Sequence, residues 1–304
     1  MSTVYVAGAA VMDVIAHADH HPRTAETVIG RDLGFFPGGK GYNQAIAAAR
    51  IGASTWFMGA VGADAFGRDL REYLEAEGIN TTGIYTANSA SGAALINVDT
   101  EGQVAVNVVY GANELADPGI LQGFSPRAGD VLISQLEIPY PTVEAFFERG
   151  RNVGARTICN LAPAREANDR IVELSDIVVV NEVELSFFSG VPITDDASRE
   201  DVAAAALKLR RFDEQWIVAT LGRRGAVAVH ADDIFEIPGV TVEVRNTIGA
   251  GDCFVGSMGA CLARGSGVVD AIQYANAAAA ISVQRDGAGP AMPFGDEVDA
   301  FLTR

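Results

Sequence analysis

The chain is short of the residues from which many sites are built. Cysteine occurs three times, as Cys159, Cys253 and Cys261. No pair has the C-x-x-C spacing of a redox or zinc motif, so free thiols in a reducing compartment are expected. Cys253 stands beside Asp252, whose charge disfavours a thiolate, and reads as a small packing residue. His17, His20 and His21 lie near one another without a fixed metal-ligand pattern. No apolar run reaches about 18 residues, so no membrane-spanning helix is expected. The first residues, Met1-Ser2-Thr3-Val4, lack the charged stretch of a signal peptide, and Asp13 breaks the next apolar stretch; a cytoplasmic location is the expectation. Basic residues are scarce, with 22 Lys and Arg against 39 Asp and Glu, a net charge of −17. Such a surface repels nucleic-acid phosphates, so no nucleic-acid partner is expected, and a phosphorylated ligand would need local cradling by backbone amides.

What is present is a globular composition, 49% hydrophobic and 20% charged. Short apolar runs alternate with longer helical patterns. Strands are expected at 3–7, 54–59, 130–134, 157–160, 177–180, 216–220 and 240–244. Helices are expected at 43–51, 66–77, 142–149, 182–188, 199–209, 250–263 and 269–284. That rhythm implies an α/β fold with a mostly parallel sheet and helices on both faces. Segments 12–36 and 92–109 break it. They read as hairpins that either pair into a small separate sheet, a lid beside a cleft, or extend the main sheet at its edge. No repeat or linker interrupts the chain, so one domain over 1–304 is expected.

Three glycine-rich stretches carry the chemistry. Asn246-Thr247-Ile248-Gly249-Ala250-Gly251-Asp252 opens a helix, and its exposed N–H groups with the helix dipole make an anion hole suited to a transferring phosphate. Asp252 in the first turn is either a base or an acid favoured there by the dipole. Gly34-Phe35-Phe36-Pro37-Gly38-Gly39-Lys40-Gly41 has the spacing of a phosphate-binding GxxxxGK loop. However, Gly41 stands where Ser or Thr would hold Mg²⁺, and Pro37 lacks an N–H. A close glycine approach to a small substrate, with Lys40 and Asn43 reaching it, fits better. Thr220-Leu221-Gly222-Arg223-Arg224-Gly225 follows a strand at the carboxyl end, where ligands bind in such folds, or is a plain hairpin turn. No G-x-G-x-x-G follows the first strand, which argues against a dinucleotide fold.

Taken together and in order, these segments resemble the PfkB family of carbohydrate and nucleoside kinases, and within it the ribokinases. Pro37–Ala45 is similar to the family's N-terminal signature and Asn246–Asp252 to its C-terminal DTxGAGD signature. Between and around them lie Gly111-Ala112-Asn113, Gln135-Leu136-Glu137, Asn160-Leu161-Ala162-Pro163-Ala164, Asn181-Glu182-Val183-Glu184, Thr220–Gly225 and Arg285-Asp286-Gly287-Ala288-Gly289-Pro290. The resemblance covers nearly the whole chain. It implies a three-layer α/β/α fold with a β-sheet lid, often used for dimerisation, and ATP-dependent transfer to a sugar hydroxyl. In that scheme Asp252 is the catalytic base, and Gly249, Ala250 and Gly251 give the anion-hole amides. Asp13, Gly39, Lys40, Asn43 and Glu137 bind the sugar. Asn181 and Glu184 position Mg²⁺ and phosphates, although from the residues alone they are equally a helix N-cap and a surface acid. Thr220, Gly222 and Gly225 line the ATP site. Asn276, on the apolar stripe Val269, Ile272, Ala279 and Val283, needs a partner; the resemblance gives adenine, the residues alone a helix–helix hydrogen bond. Asn246 with carbonyls of Ile248, Ser282, Arg285 and Gly287 matches a monovalent-cation site for K⁺.

Three positions depart from the pattern. Val11 stands where ribokinases carry Asn. With Met12 it adds apolar surface that suits a nucleoside as well as a sugar. Asn246 replaces an Asp, and Ala291 a serine ligand, both of which weaken the cation site. A catalytically silent nucleotide or sugar sensor on the same scaffold is the third reading.

Overall fold

The computed structural model describes residues 2–166 and 168–303. Met1, Ala167 and Arg304, which the domain expected over 1–304 includes, lie outside the described residues. In chain order the elements are β1 (Thr3–Ala7), β2 (Val11–His17), β3 (Asp32–Gly38), α1 (Lys40–Arg50), β4 (Ser54–Gly62), α2 (Ala65–Ala76), β5 (Asn80–Ala87), β6 (Gly92–Val98) and β7 (Val104–Val109). There follow β8 (Val131–Ser134), α3 (Tyr140–Arg151), β9 (Arg156–Asn160), α4 (Asp169–Glu173), β10 (Ile177–Asn181), α5 (Glu182–Ser189), α6 (Arg199–Leu209) and β11 (Trp216–Thr220). The chain ends with β12 (Gly225–His230), β13 (Asp233–Pro238), α7 (Ala250–Ala263), α8 (Val268–Ser282) and α9 (Gly295–Leu302).

The main sheet has nine strands in the order β13-β12-β11-β10-β9-β8-β1-β4-β5. It is parallel from β11 to β5, with β12 and β13 antiparallel at one edge. Its central strands are covered on both faces, which is why runs such as Val131-Leu132-Ile133 and Ile177-Val178-Val179-Val180 are uninterruptedly apolar. Alternate residues feed two cores. Val4, Val6, Ile133, Ile158 and Val179 pack with α1, α7 and α8, whereas Tyr5, Ala7, Leu132, Cys159 and Val178 pack with α3 and α6. The chain runs outward from β1 through β4 to β5, then returns to β8 and proceeds the other way. The carboxyl ends of β1 and β8 therefore flank the topological switch point, where a crevice opens.

The two irregular segments form a second sheet, in the order β3-β2-β6-β7. The separate-sheet expectation is met and the edge extension is not. Phe35 of β3 packs tilted against Phe66 of α2, ring centroids 5.9 Å apart, tying the small sheet to the body. His17, His20 and His21 face Asp32, Glu26 and Asp99 rather than one another.

Three expectations are corrected. Segment 240–244 is not a strand, since its chain leaves the sheet after β13 and Val240, Val242 and Val244 line a cavity. Its apolar alternation reflects that lining. Helix α1 begins at Lys40 rather than Asn43, because Gly39 takes a φ of 96° that starts the helix directly. Strands β5, β12 and β13 were not foreseen. β5 and β13 are the edge strands, with partly exposed faces that blur the apolar signal, and β12 is the buried strand beside β13.

Helices α1 and α7 touch backbone to backbone. A Cβ at Gly256 would come within 2.3 Å of the Gln44 carbonyl oxygen and 2.7 Å of Ala47 Cβ. In an unpacked helix, glycine to alanine gains about 1 kcal/mol. Here the methyl must push the helices apart, so Gly256→Ala is expected to cost about 1–3 kcal/mol net. The measurement is a urea midpoint at unchanged m-value; a stabilised variant contradicts the close approach.

Candidate active site

Asp252 is the third residue of α7, and the turn before it sets its surroundings. Gly249 is left-handed, with φ 74°, and caps the helix without a side-chain hydrogen bond. The Ala250 amide is used by the Thr247 carbonyl at 3.2 Å. Those of Gly251 and Asp252 find no backbone acceptor among the described residues, as first-turn amides of a helix commonly do not. A Cβ at Gly251 would meet nothing within 4 Å, so the chain is open at this residue. Asp252 itself is buried at 7% exposure. Burial pushes its pKa up, while the Lys40 ammonium and the Gln44 and Asn43 amides pull against it.

The residues that the resemblance assigns to the sugar gather near this carboxylate. Asn43 Nδ2 donates to Asp252 Oδ2 at 3.1 Å. The N–H of Lys40, at the positive end of α1, donates to Glu137 Oε2 at 3.1 Å. Glu137 follows β8 at the switch point. Gly39 must be glycine, since a Cβ there would lie 2.7 Å from the Ala9 carbonyl oxygen. Asp13 comes from the second sheet, its Oδ2 only 2.6 Å from where a Cβ of Gly38 would be. Burial, then the neighbouring Asp252 charge, raises Asp13 to about 6. Burial also raises Glu137 to about 6, with Lys40 opposing. For Lys40, burial lowers the pKa, but Asp252 and Glu137 outweigh it and hold the group above its ordinary value.

A cavity of about 200 Å³ joins Lys40, Asp252, Gly249, Gly251, Asn181, Glu184 and Thr220. Asn181 and Glu184 form a capping box. The Asn181 side chain accepts from the Glu184 N–H at 2.8 Å, and the Glu184 carboxylate from the Asn181 N–H at 2.9 Å. The N-cap reading is thus realised, but Glu184 is no surface acid, being 6% exposed. Desolvation raises its pKa against the Asn181 hydrogen bond and Lys40. A larger cavity of about 620 Å³ shares Thr220, Thr247 and Gly251 with the first and adds Gly222, Gly225, Ala250 and Asn276. The 220–225 segment is indeed a hairpin turn between β11 and β12, and it also lines this cavity. Asn276 Nδ2 donates to the Pro238 carbonyl at 2.8 Å, a partner at the end of β13 rather than on another helix.

Asn246, Ile248, Ser282, Arg285 and Gly287 are neighbours in part through tethers. The amides of Arg245 and Asn246 both reach the Val283 carbonyl, at 2.8 and 3.1 Å. Asn246 Oδ1 accepts the Ile248 N–H at 2.9 Å, and the Ser282 carbonyl accepts the Arg285 N–H at 3.1 Å. The Arg285 guanidinium is engaged with Glu297. Gly287 is left-handed, with φ 93°.

Sequence reasoning gave no role to Gln44, Gln135 and Asn160, which the structure packs around Asp252. The available signal was Gln44 itself, a polar residue inside the apolar face of an Ala-rich helix. Tyr110, Tyr140 and Arg165 were also missed. With Glu137 they line a separate cavity of about 500 Å³.

The two carboxylates near 6 predict a pH effect. Folded, Asp13 and Glu137 hold protons more tightly than in the unfolded chain, where their pKa is about 4. Their stabilising contribution is full below about pH 4 and is lost as pH rises through about 6. Asp13→Asn removes part of that loss. Its stability relative to the parent chain should increase between about pH 4 and about pH 7, read from paired urea midpoints. A pH-independent difference contradicts the desolvated placement of Asp13.

Comparison with known proteins agrees with this geometry. The model of the pfkB family carbohydrate kinases matches residues 1–294. A ribokinase of Haemophilus influenzae is 32% identical over 303 residues, covering 99% of this chain and 98% of the relative. Among solved structures, a ribokinase from Thermotoga maritima superimposes with TM-score 0.89 at 30% identity, with full coverage of both chains. An Arabidopsis thaliana ribokinase complexed with ribose and ATP gives 0.90 at 25%, again over both whole chains. The chain belongs to the pfkB family of carbohydrate kinases and is an ATP-dependent kinase of the ribokinase type.

Proposed function

We propose that the whole chain, 1–304, acts as one cytoplasmic kinase domain that transfers the γ-phosphate of ATP to a primary hydroxyl of a pentose, with Asp252 as general base. One observation carries the reading. A buried carboxylate of raised proton affinity and two amides without backbone acceptors occupy the same helix start, where the two cavities join. Phosphoryl transfer needs little covalent chemistry from the protein; it needs positioning and charge stabilisation. Asp252 takes the proton as the hydroxyl oxygen attacks in line. The amides of the Gly249–Gly251 turn and the positive end of α7 meet the charge on the transferring group.

Asp13, Gly39, Lys40, Asn43 and Glu137 hold the sugar. Vicinal hydroxyls donate and accept in pairs, and this set offers both carboxylate acceptors and amide donors. The Asn43 Oδ1 is buried without a partner, which fits a hydroxyl donor from the acceptor. Thr220, Gly222, Gly225 and Asn276 take the nucleotide. Asn181 and Glu184 face the phosphates; Mg²⁺, which keeps several waters and takes few carboxylates, supplies charge neutralisation there when bound. The Asn246 loop offers only neutral oxygens to K⁺, and two of them already accept hydrogen bonds, which suits modest activation rather than strict dependence.

A second reading, a nucleoside acceptor, has one specific support. The cavity beside Glu137 is lined by Tyr110 and Tyr140, whose rings suit a planar base. For assembly, the lid face that carries Asp13 also carries Phe36, Val106 and Val108, which are 42%, 50% and 50% exposed. A second copy of the chain would cover this apolar face, giving a homodimer through the lid. Among the described residues no helix is long and apolar enough to cross a membrane.

Asp252→Asn should lower kcat by at least about 10² while leaving ATP affinity near the parent value, because the base is lost and the cradle kept. A coupled ATP-consumption assay across pentoses, hexoses and nucleosides, with and without K⁺, reads it and ranks the acceptors. Near-normal turnover in the variant removes Asp252 from the role. Val106→Asp should shift the sedimentation coefficient from dimer to monomer; an unchanged value in a dimeric parent excludes the lid face as the interface.

A further inference from the structure

The hydrogen-bond inventory around Asp252 separates two neighbours on α1. Asn43 donates to Oδ2 and keeps a buried Oδ1 without a partner, so it has capacity left for a substrate. Gln44 has none. Its Nε2 donates to Asp252 Oδ1 at 3.0 Å and to Asn160 Oδ1 at 3.1 Å, and its Oε1 accepts from Gln135 Nε2 at 2.6 Å. That exhausts a glutamine's two N–H groups and engages its oxygen. The side chain is completely buried. Turning the amide over would set its oxygen against two oxygens and its NH₂ against another NH₂. Only one orientation is therefore compatible with an ionised Asp252. One of these partners is anchored in turn. Asn160 Nδ2 donates to the Val179 carbonyl at 3.2 Å. The backbone of Gln44 abuts Gly256, one helical turn beyond Asp252.

We propose that Gln44 is a positioning residue that fixes the rotamer of the Asp252 carboxylate for attack on the acceptor hydroxyl, with Gln135 and Asn160 fixing Gln44. The inference rests on reading Asp252 as the base. If Gln44 only packed α1 against α7, any side chain of its volume would serve. The charged groups that face Asp252 are Lys40 at the start of α1, Glu137 after β8, Asp13 on β2 and Glu184 on α5. Those three carboxylates oppose its ionisation, so the amide donors matter to the protonation state as well as to the rotamer.

The test uses the full chain with pentose and ATP. Gln44→Met keeps the volume and removes both donors. It should lower kcat about 10- to 100-fold, as expected for a lost hydrogen bond to a charged group. ATP affinity should stay within about twofold, and the acid limb of kcat/KM should move to higher pH. Gln44→Glu, nearly isosteric, sets a second carboxylate against Oδ1 and should move the limb further. A folded Gln44→Met with kcat within about twofold of the parent and an unmoved acid limb overturns the proposal. If Gln44→Met does not fold, an unmoved limb in Gln44→Glu overturns it alone. Asp252→Asn keeps the two ideas apart. Normal turnover there removes the base itself, whereas an inactive Asp252→Asn beside parent-like Gln44 variants removes only the positioning role.

Discussion

The backbone of α1 runs against the backbone of α7 at Gly256, where no side chain fits between them. That contact fixes where two helix N-termini lie, one starting at Lys40 and the other at Ala250. A second close approach, Gly41 against Gly8, seats the start of α1 on the end of β1; a Cβ at Gly41 would lie 2.7 Å from the Gly8 Cα. Interiors are packed densely enough that such contacts do not stretch gradually. Two partial positive poles are therefore held beside the switch point of the sheet. The proposed acceptor residues, the proposed anion hole and Asp252 are arranged around them.

The small sheet adds to this frame without sharing its hydrogen bonds. One of its faces leans on α2 through Phe35 and Phe66. The other carries Asp13 toward the site and is apolar further out. Asp13 is thus presented by β2, whose neighbouring Val11 and Met12 belong to the two main cores. Its proton affinity measures how dry that junction is, because desolvation is the largest influence on it. In the proposed dimer, a second copy on the same face would exclude more water and strengthen every polar contact to the acceptor.

Much of this was legible in the sequence where one signal decided the outcome. Helix α6 and strand β11 run over the expected residues, because caps and apolar period agree there. The glycine turn before Asp252 announced a helix start, whose Gly251 and Asp252 amides find no backbone acceptor among the described residues, and the capping residues Asn181 and Glu184 could be read locally. What was not legible depends on distance along the chain. Gln44 meets Asn160 across 116 residues and Asp252 across 208; nothing near Gln44 points to either. Segment 240–244 misled for the opposite reason. Its valines alternate as a strand's would, yet what they face is a cavity, and periodicity reports only that one side is apolar. The cation-site residues could be matched to a pattern, but that two of their oxygens already accept hydrogen bonds emerges only in three dimensions.

The strongly acidic composition looked unfavourable for a protein that handles ATP, and the site's division of labour resolves that tension. Sugar hydroxyls donate hydrogen bonds, so carboxylates recognise them well; in the proposed reading Asp13, Glu137 and Asp252 all serve the acceptor. Phosphate oxygens only accept, and there the chain presents backbone amides and a helix end, which carry no counter-charge to be lost on protonation. Lys40 stands between the two sets, held protonated by the acids around it despite its burial. An arginine on the acceptor side would compete with hydroxyl donors for Asp252. Helix geometry provides at the site the local positive potential that the composition lacks.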